Sequence, residues 1–396
     1  MPTALNRLHP EPPRKTIAWV GLFGMLAATL WTYLGYPLMM LIAARRRGKT
    51  AAGGAESSGE LAPTMTVIVP ALDEEAVIER KITDIRSQNY PAEKLQLVVV
   101  ADGSQDRTVE IASTLGVECL WERERRGKSA AINRGMEVAT GEITCLTDAN
   151  CAMQPGALAA ITARFSDPAV GIVSGAKTVS GEGGRGLGEG LYWRFESMVK
   201  AAESNLGVTM GAPGELLGIR TKLFRPLPDH VINDDFYLTC DVLDRGYAAE
   251  YASEALTTET TSASAREEFG RRARIAAGTW QTSFEFVRLA QPRRGWVAVS
   301  FLSHRLLRNI AVPVLLPLIW LLSRYLGRTH GLGRALSGAQ GVAYGAATVG
   351  LATNSRILAP FSEFLLLNAA QLLGGYRWLT GSQTNLWQKP TRERWA

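Results

Sequence analysis

Residues 17–44 contain no Asp, Glu, Lys or Arg, and the run is followed by Arg45, Arg46, Arg47 and Lys49. That exceeds the roughly 20 apolar residues a helix needs to cross a bilayer. It is too long for a signal-peptide core, and basic residues stand where a cleavage site would follow. The basic run places its own side in the cytoplasm. A single anchor is therefore expected here, in the inner (plasma) membrane, with the next part of the chain on the cytoplasmic face.

The rest of the chain divides in the same way. A charged, glycine-punctuated middle lies between apolar ends, which excludes a disordered chain, a collagen-like repeat and a simple soluble enzyme. Cys119, Cys145, Cys151 and Cys240 form no CxxC pair, and His9, His230, His304 and His330 are scattered. A reduced, cytoplasm-facing middle without a zinc site follows. The net charge of +6 fits attraction to a membrane surface and no nucleic-acid partner.

The expected organisation is an N-terminal tail (1–16), a transmembrane helix (17–44), a basic linker (45–63), a cytoplasmic domain (64–283), interfacial helices (284–308), two or three transmembrane segments (309–378) and a C-terminal tail (379–396). Within the middle, 66–70, 95–101, 117–121, 142–147 and 170–174 have the apolar, β-branched look of strands. Residues 73–87, 106–115, 128–139 and 156–165 have helical patterning. Strands apolar on both faces, alternating with helices, imply an α/β fold with a mostly parallel sheet covered on both sides. Ligands of such sheets lie at the carboxyl ends of the strands.

The apolar segments 309–323, 335–355 and 357–376 do not give one topology. Arg324, Arg328 and Arg334, and then Lys389, Arg392 and Arg394, all favour the inside. Three full crossings would put the tail outside. Glu363, within the last segment, needs a polar path or a partner, or else a place near the headgroups.

Polar residues cluster where the predicted strands end. The first strand runs into Pro70, then Asp73, Glu74 and Glu75, which serve as helix N-caps or as ligand contacts. The second ends in Asp102-Gly103-Ser104, where an acid and a glycine turn can either cap or hydrogen-bond a nucleotide. Lys128 opens the next helix behind Arg125, Arg126 and Gly127; it faces a diphosphate or belongs to a solvated charge run. Asp148-Ala149-Asn150 ends the fourth strand, and two oxygen ligands at i and i+2 can share one divalent ion. Asn150 offers only a neutral carbonyl oxygen, so metal affinity should be weaker than for two carboxylates. Asp234 and Asp235 are adjacent acids at a helix start: caps, or a pair in which one pKa is raised enough for a general base. Arg271, Arg272 and Arg274 can clamp a pyrophosphate or meet anionic lipid.

In this order the motifs resemble the membrane-integrated family-2 glycosyltransferases, the group containing cellulose, chitin, hyaluronan and poly-N-acetylglucosamine synthases. The likeness spans roughly residues 64–283. It implies a GT-A-type nucleotide-sugar-binding domain, a UDP-sugar donor, Mg²⁺ or Mn²⁺, a glycan or lipid acceptor, membrane lipids as surroundings and an accessory export subunit of unknown identity. Pro70, Asp73 and Glu75 fall in the first nucleotide-binding motif, which usually has Asn at the place of Asp73. Asp102 matches the acid that contacts uracil or ribose, and Lys128 a basic residue near the nucleotide. Asp148 matches the first acid of the Asp-x-Asp metal motif, with Asn150 in place of the second. Asp235 matches the catalytic base, and Asp234 stands where Glu is common. Gly211, Gly214 and Glu215 lie in a segment like the one that lines the acceptor side.

Processive members carry Gln-x-x-Arg-Trp; here the sequence is Arg271-Arg272-Ala273-Arg274-Ile275. Arg274 is kept, and the stacking tryptophan is replaced by Ile275, with Trp280 further along the helix. The arginine at the start also resembles ceramide glucosyltransferases, which add one sugar to a lipid. An inverting polysaccharide synthase, a single-addition glycolipid enzyme, an inactive transferase-like scaffold and a nucleotidyltransferase on the same sheet are therefore all in play.

Overall fold

The computed structural model describes residues 13–48, 62–180, 186–211, 214–260 and 265–386. Of the linker expected at 45–63, residues 45–47 continue α2 and 49–61 lie outside the described residues, as do the chain before residue 13 and residues 387–396. Helices α1 (Pro13–Leu30) and α2 (Tyr36–Arg47) join through a π-helical stretch at Trp31–Gly35. Then come β1 (Met65–Ala71), α3 (Ile78–Arg86), β2 (Leu95–Asp102), α4 (Thr108–Thr114), β3 (Glu118–Glu122), α5 (Lys128–Glu137), β4 (Ile143–Leu146), β5 (Cys151–Met153) and α6 (Ala157–Arg164). They are followed by β6 (Val170–Ser180), α7 (Gly186–Ser204), β7 (Leu217–Arg220), α8 (Asp234–Asp244), β8 (Ala248–Thr260) and α9 (Ala265–Glu285). Helices α10 (Trp296–Ser300) and α11 (Val312–Leu326) form one rod through a π-helical stretch at Phe301–Ala311, and α12 (Gly331–Thr353) and α13 (Ala359–Leu379) follow.

The strands form one sheet in the order β3-β2-β1-β4-β7-β6-β8-β5. β3, β2, β1 and β4 are mutually parallel, so their carboxyl ends share one edge. β7 runs antiparallel to β4 and β6, and β5 antiparallel to β8. Side chains alternate between two cores, as a pleated strand requires. Val67 and Val69 pack with Ile78, Ile82 and Ile161 on one face. Ile68 packs with Ile132, Phe236 and Val242 on the other.

Three differences from the sequence reading have local causes. The first helix begins at Ile78 instead of 73, because Asp73 takes a left-handed backbone (φ 54°). Its Oδ1 accepts the Gln105 N–H at 2.7 Å, so it ties two loops together instead of capping a helix. Strand β6 runs on to residue 180, because β8 pairs along its whole length, with register shifts at 170–172 and 174–176. The second long apolar helix starts at Trp296 instead of 309, since His304 and Arg308 are buried against Glu196 and do not break it.

Among the described residues two helices are long and apolar enough to cross a membrane, Arg14–Arg47 and Trp296–Leu326. Helix α13 instead packs on α9 of the sheet domain. A Cβ on Gly374 would come within 2.6 Å of the Ala273 carbonyl oxygen and the Ala277 nitrogen.

Candidate active site

The shared strand edge gathers the acids. Lys128 opens α5 and places its Nζ 2.9 Å from Asp148 Oδ1 and 3.4 Å from Asp234 Oδ2. It thereby joins the β4 loop to the start of α8. Burial pulls the Lys128 pKa down, but Asp148 and Asp234 outweigh it and hold it above the ordinary lysine value. Asp235 is the next residue along. Burial first, and then Asp234 beside it, push its carboxyl up to about 7, against the opposing pull of Lys128. Its Oδ1 accepts the Phe236 N–H at 2.5 Å. On the other side Gly214 approaches so closely that a Cβ there would lie 2.8 Å from Asp235 Oδ2. A side chain there would displace the carboxylate, so glycine suits this close approach.

The β4 loop is held from beneath by a residue the sequence reading did not single out. Lys81 is fully buried, and its Nζ donates to Thr147 Oγ1 and the Cys151 carbonyl, both at 2.9 Å. Asp148 keeps 35% of its side chain exposed. Asn150 Oδ1 is buried and has no hydrogen-bond partner. An orphaned carbonyl oxygen two residues from an accessible carboxylate fits a divalent cation, because a buried acceptor left unmatched is costly.

Glu215 is buried and ion-paired with Lys177 at 2.5 Å, and Lys177 also meets Glu259. Burial opposes ionisation of Glu215, but Lys177 prevails and keeps it below the usual range. Lys177 and Glu259 were not anticipated; period-2 patterning in a Thr-rich strand gives such residues no signature. Gly211 is also tightly placed, since a Cβ there would sit 2.4 Å from Lys200 Cε.

Other expected site residues are engaged elsewhere. Asp102 is fully buried and accepts the backbone N–H groups of Arg126 (3.0 Å) and Gly127 (2.7 Å), together with Arg134 Nη2 (3.1 Å). Its carboxylate shapes the loop that leads into Lys128. Pro70 is buried at the end of β1 beside Val100. Glu75 is exposed and accepts the Arg107 N–H at 3.2 Å.

Along α9, Arg271 pairs with Glu268 (2.9 Å), and Arg272 pairs with Glu268 (2.7 Å) and with Glu363 of α13 (2.6 Å). Glu363 therefore has its partner. Arg274 donates to the Ile232 carbonyl at 3.3 Å and lies in the field of Asp234, Asp148 and Asp235. Trp280 is 9% exposed, with its ring 6.3 Å from that of Trp378 and against Gly375. It belongs to the contact between α9 and α13. Among the described residues no group of three or more His, Cys, Asp or Glu could hold a metal alone, so a cation here needs oxygens from a ligand as well.

Residues 66–225 match the family described as "Glycosyl transferase family 2". Glycosyltransferase AglE of Haloferax volcanii is 29% identical over 206 residues, covering 49% of this chain and 66% of that protein. An N-acetylglucosaminyltransferase of Rhizobium meliloti is 25% identical over 56% of this chain and 57% of its own length. The chain thus spans two thirds or less of these two curated relatives. A mannosyltransferase of Pyrobaculum calidifontis, solved in complex with GDP-Man and Mn²⁺, superposes with a TM-score of 0.69 at 25% identity over 91% of this chain and 99% of that one. The parallel strand edge, its acids and these likenesses agree on a GT-A-type fold, and residues 66–225 are similar to glycosyl transferase family 2.

Proposed function

We propose that the protein is an inverting glycosyltransferase that moves a sugar from a nucleoside-diphosphate sugar, read from the sequence as a UDP-sugar, to a polysaccharide acceptor at the inner membrane, with export of the product. The observation that carries the reading is Asp235, a half-buried carboxyl near neutrality beside the Asp234–Lys128–Asp148 chain. A group with that pKa can take a proton at physiological pH and hold it through the transfer.

In the reaction the acceptor oxygen attacks the anomeric carbon as Asp235 removes its proton. The bond from that carbon to the diphosphate oxygen breaks, and the nucleoside diphosphate leaves with its electron pair. Lys128 and Arg274 set positive charge where that leaving group carries negative charge. Asp148 and Asn150 would hold Mg²⁺ or Mn²⁺, which when bound neutralises the diphosphate. Asp102 acts on the donor through the loop it holds, and Lys81 keeps the β4 loop in place. The Arg45–Arg47 run at the end of α2 supports a cytoplasmic location for the site.

A single-addition enzyme that makes a glycolipid is the second reading. It is favoured by the burial of Trp280 against α13, which takes it away from any sugar-stacking role. Radiolabelled UDP- and GDP-sugars, each given to membranes containing the protein, would name the donor, and the product would decide the acceptor. Label in high-molecular-weight glycan supports the polymer. Label confined to an organic-soluble, single-sugar product supports the glycolipid. Label in neither, with wild-type membranes and either metal, would defeat both.

A further inference from the structure

Between α7 and β7, Gly214 lies against Asp235, and Met210, four residues before it, is held from two other helices. Glu203, at the end of α7, is completely buried. Its Oε1 accepts the hydroxyls of Tyr36 from α2 (2.5 Å) and Ser300 from α10 (3.0 Å), and faces His304 Nδ1 at 2.6 Å. His304 also contacts Glu196, which pairs with Arg308 at 2.8 Å. The second Glu203 oxygen accepts the backbone N–H of Met210 at 3.0 Å. From the opposite side the Arg305 guanidinium donates to the Met210 carbonyl. The same guanidinium lies over the Phe236 ring, 4.3 Å from its centroid. Phe236 is the residue that hydrogen-bonds Asp235.

Met210 is thus gripped at both backbone polar groups by charged side chains. One comes from α7, braced on the N-terminal helix, and the other from the Phe301–Ala311 stretch. Satisfying a buried peptide needs no charge; any neutral group would do. Fully burying one ionised group, Glu203, and half-burying a second, Arg305, for the purpose is expensive. The arrangement makes sense when the position of Met210 has to be held against α8.

We propose that Glu203 and Arg305 are positioning residues that fix Met210 and the described residues 205–211 against the Asp235 helix and so set where the acceptor hydroxyl meets the base. This rests on the reading of Asp235 as the base. Errors of about 1 Å in such a placement cost up to about 100-fold. A misplaced acceptor leaves donor sugar to water, so the partition between transfer and hydrolysis reports position as distinct from overall folding.

Membrane vesicles from cells producing the full chain would be given the radiolabelled donor that proves active. Product-linked label would be divided by nucleoside diphosphate released. In Arg305→Met, which keeps packing on Phe236 but loses the donor, the ratio should fall at least about tenfold. Arg305→Lys should keep more than half of the wild-type ratio. A smaller fall in Arg305→Met, or an equal fall in Arg305→Lys, overturns the proposal. If Arg305→Met does not accumulate in the membrane, Glu203→Gln is read against the same tenfold threshold. No nucleotide release by wild-type from any donor, or undiminished release by Asp235→Asn, would instead defeat the assignment of the site itself.

Discussion

Asp235 gives a pH dependence whose size follows from its surroundings. Its carboxyl stands at about 7 because it is half-buried and because Asp234 adds a second negative charge beside it. A base works only when ionised, so activity should rise with pH through that value. At pH 6 about a tenth of the free enzyme carries the ionised form, and at pH 8 about nine tenths, so kcat/KM should rise about tenfold. A carboxyl at its ordinary value near 4 would give a flat profile over this range. Two variants fix the cause. Asp234→Asn removes the like charge and should move the acid limb to lower pH; Lys128→Met removes the counter-charge and should move it up. The linked stability effect has the opposite sign to that of an ordinary paired carboxylate. With the folded value raised, the cost of ionising the group is present above about pH 7 and absent below about pH 4, where it is protonated in both states. It amounts to at most about 4 kcal/mol. Asp235→Asn should therefore raise the thermal midpoint at pH 8 and leave it unchanged at pH 4. Initial rates of nucleotide release between pH 5.5 and 8.5 provide the assay. A flat wild-type profile, or an Asp234→Asn limb displaced upward, would refute the reasoning.

Two further outcomes are expected. Asn150→Asp adds a carboxylate at the orphaned oxygen and should lower the metal concentration for half-maximal activity several-fold, read by titrating Mn²⁺ and Mg²⁺ against nucleotide release. Arg272→Met should cost about 3–5 kcal/mol by leaving Glu363 buried without its partner, while the double variant Arg272→Met, Glu363→Leu should recover most of that loss, read as denaturation midpoints in detergent.

Much of the parallel half of the sheet is legible in the chain, because buried parallel strands are written as unbroken β-branched runs: 95–101 foresees β2, and 66–70 foresees β1. The rest is legible only in part: 170–174 foresees the start of β6, whereas β8 is rich in Thr, Ala and Glu and is a strand because β6, parallel to it, and β5, antiparallel to it, supply partners roughly 80 and 105 residues away. Helix starts were misplaced where an acid does loop work, as Asp73 does with Gln105. The meeting of Lys128 with Asp148 follows from the rule that parallel strand carboxyl ends share an edge, whereas Asp234 reaches them through the connection after antiparallel β7, which that rule does not give. The pairing of Arg272 with Glu363, 91 residues apart, follows from helix packing, which no local spacing encodes. Lys81 and Lys177 look like solvated charges in the sequence and are buried in the structure.

Transfer from a nucleotide sugar should depend on Asp235 in the frame of Asp148 and Lys128. The most direct measurement is metal-dependent nucleoside diphosphate release by wild-type and Asp235→Asn protein side by side, with donor binding measured on both. The expected result is release by the wild type, a loss of at least about 100-fold in the variant, and donor affinity within a few-fold of the wild type. Release by Asp235→Asn at the wild-type rate would contradict it.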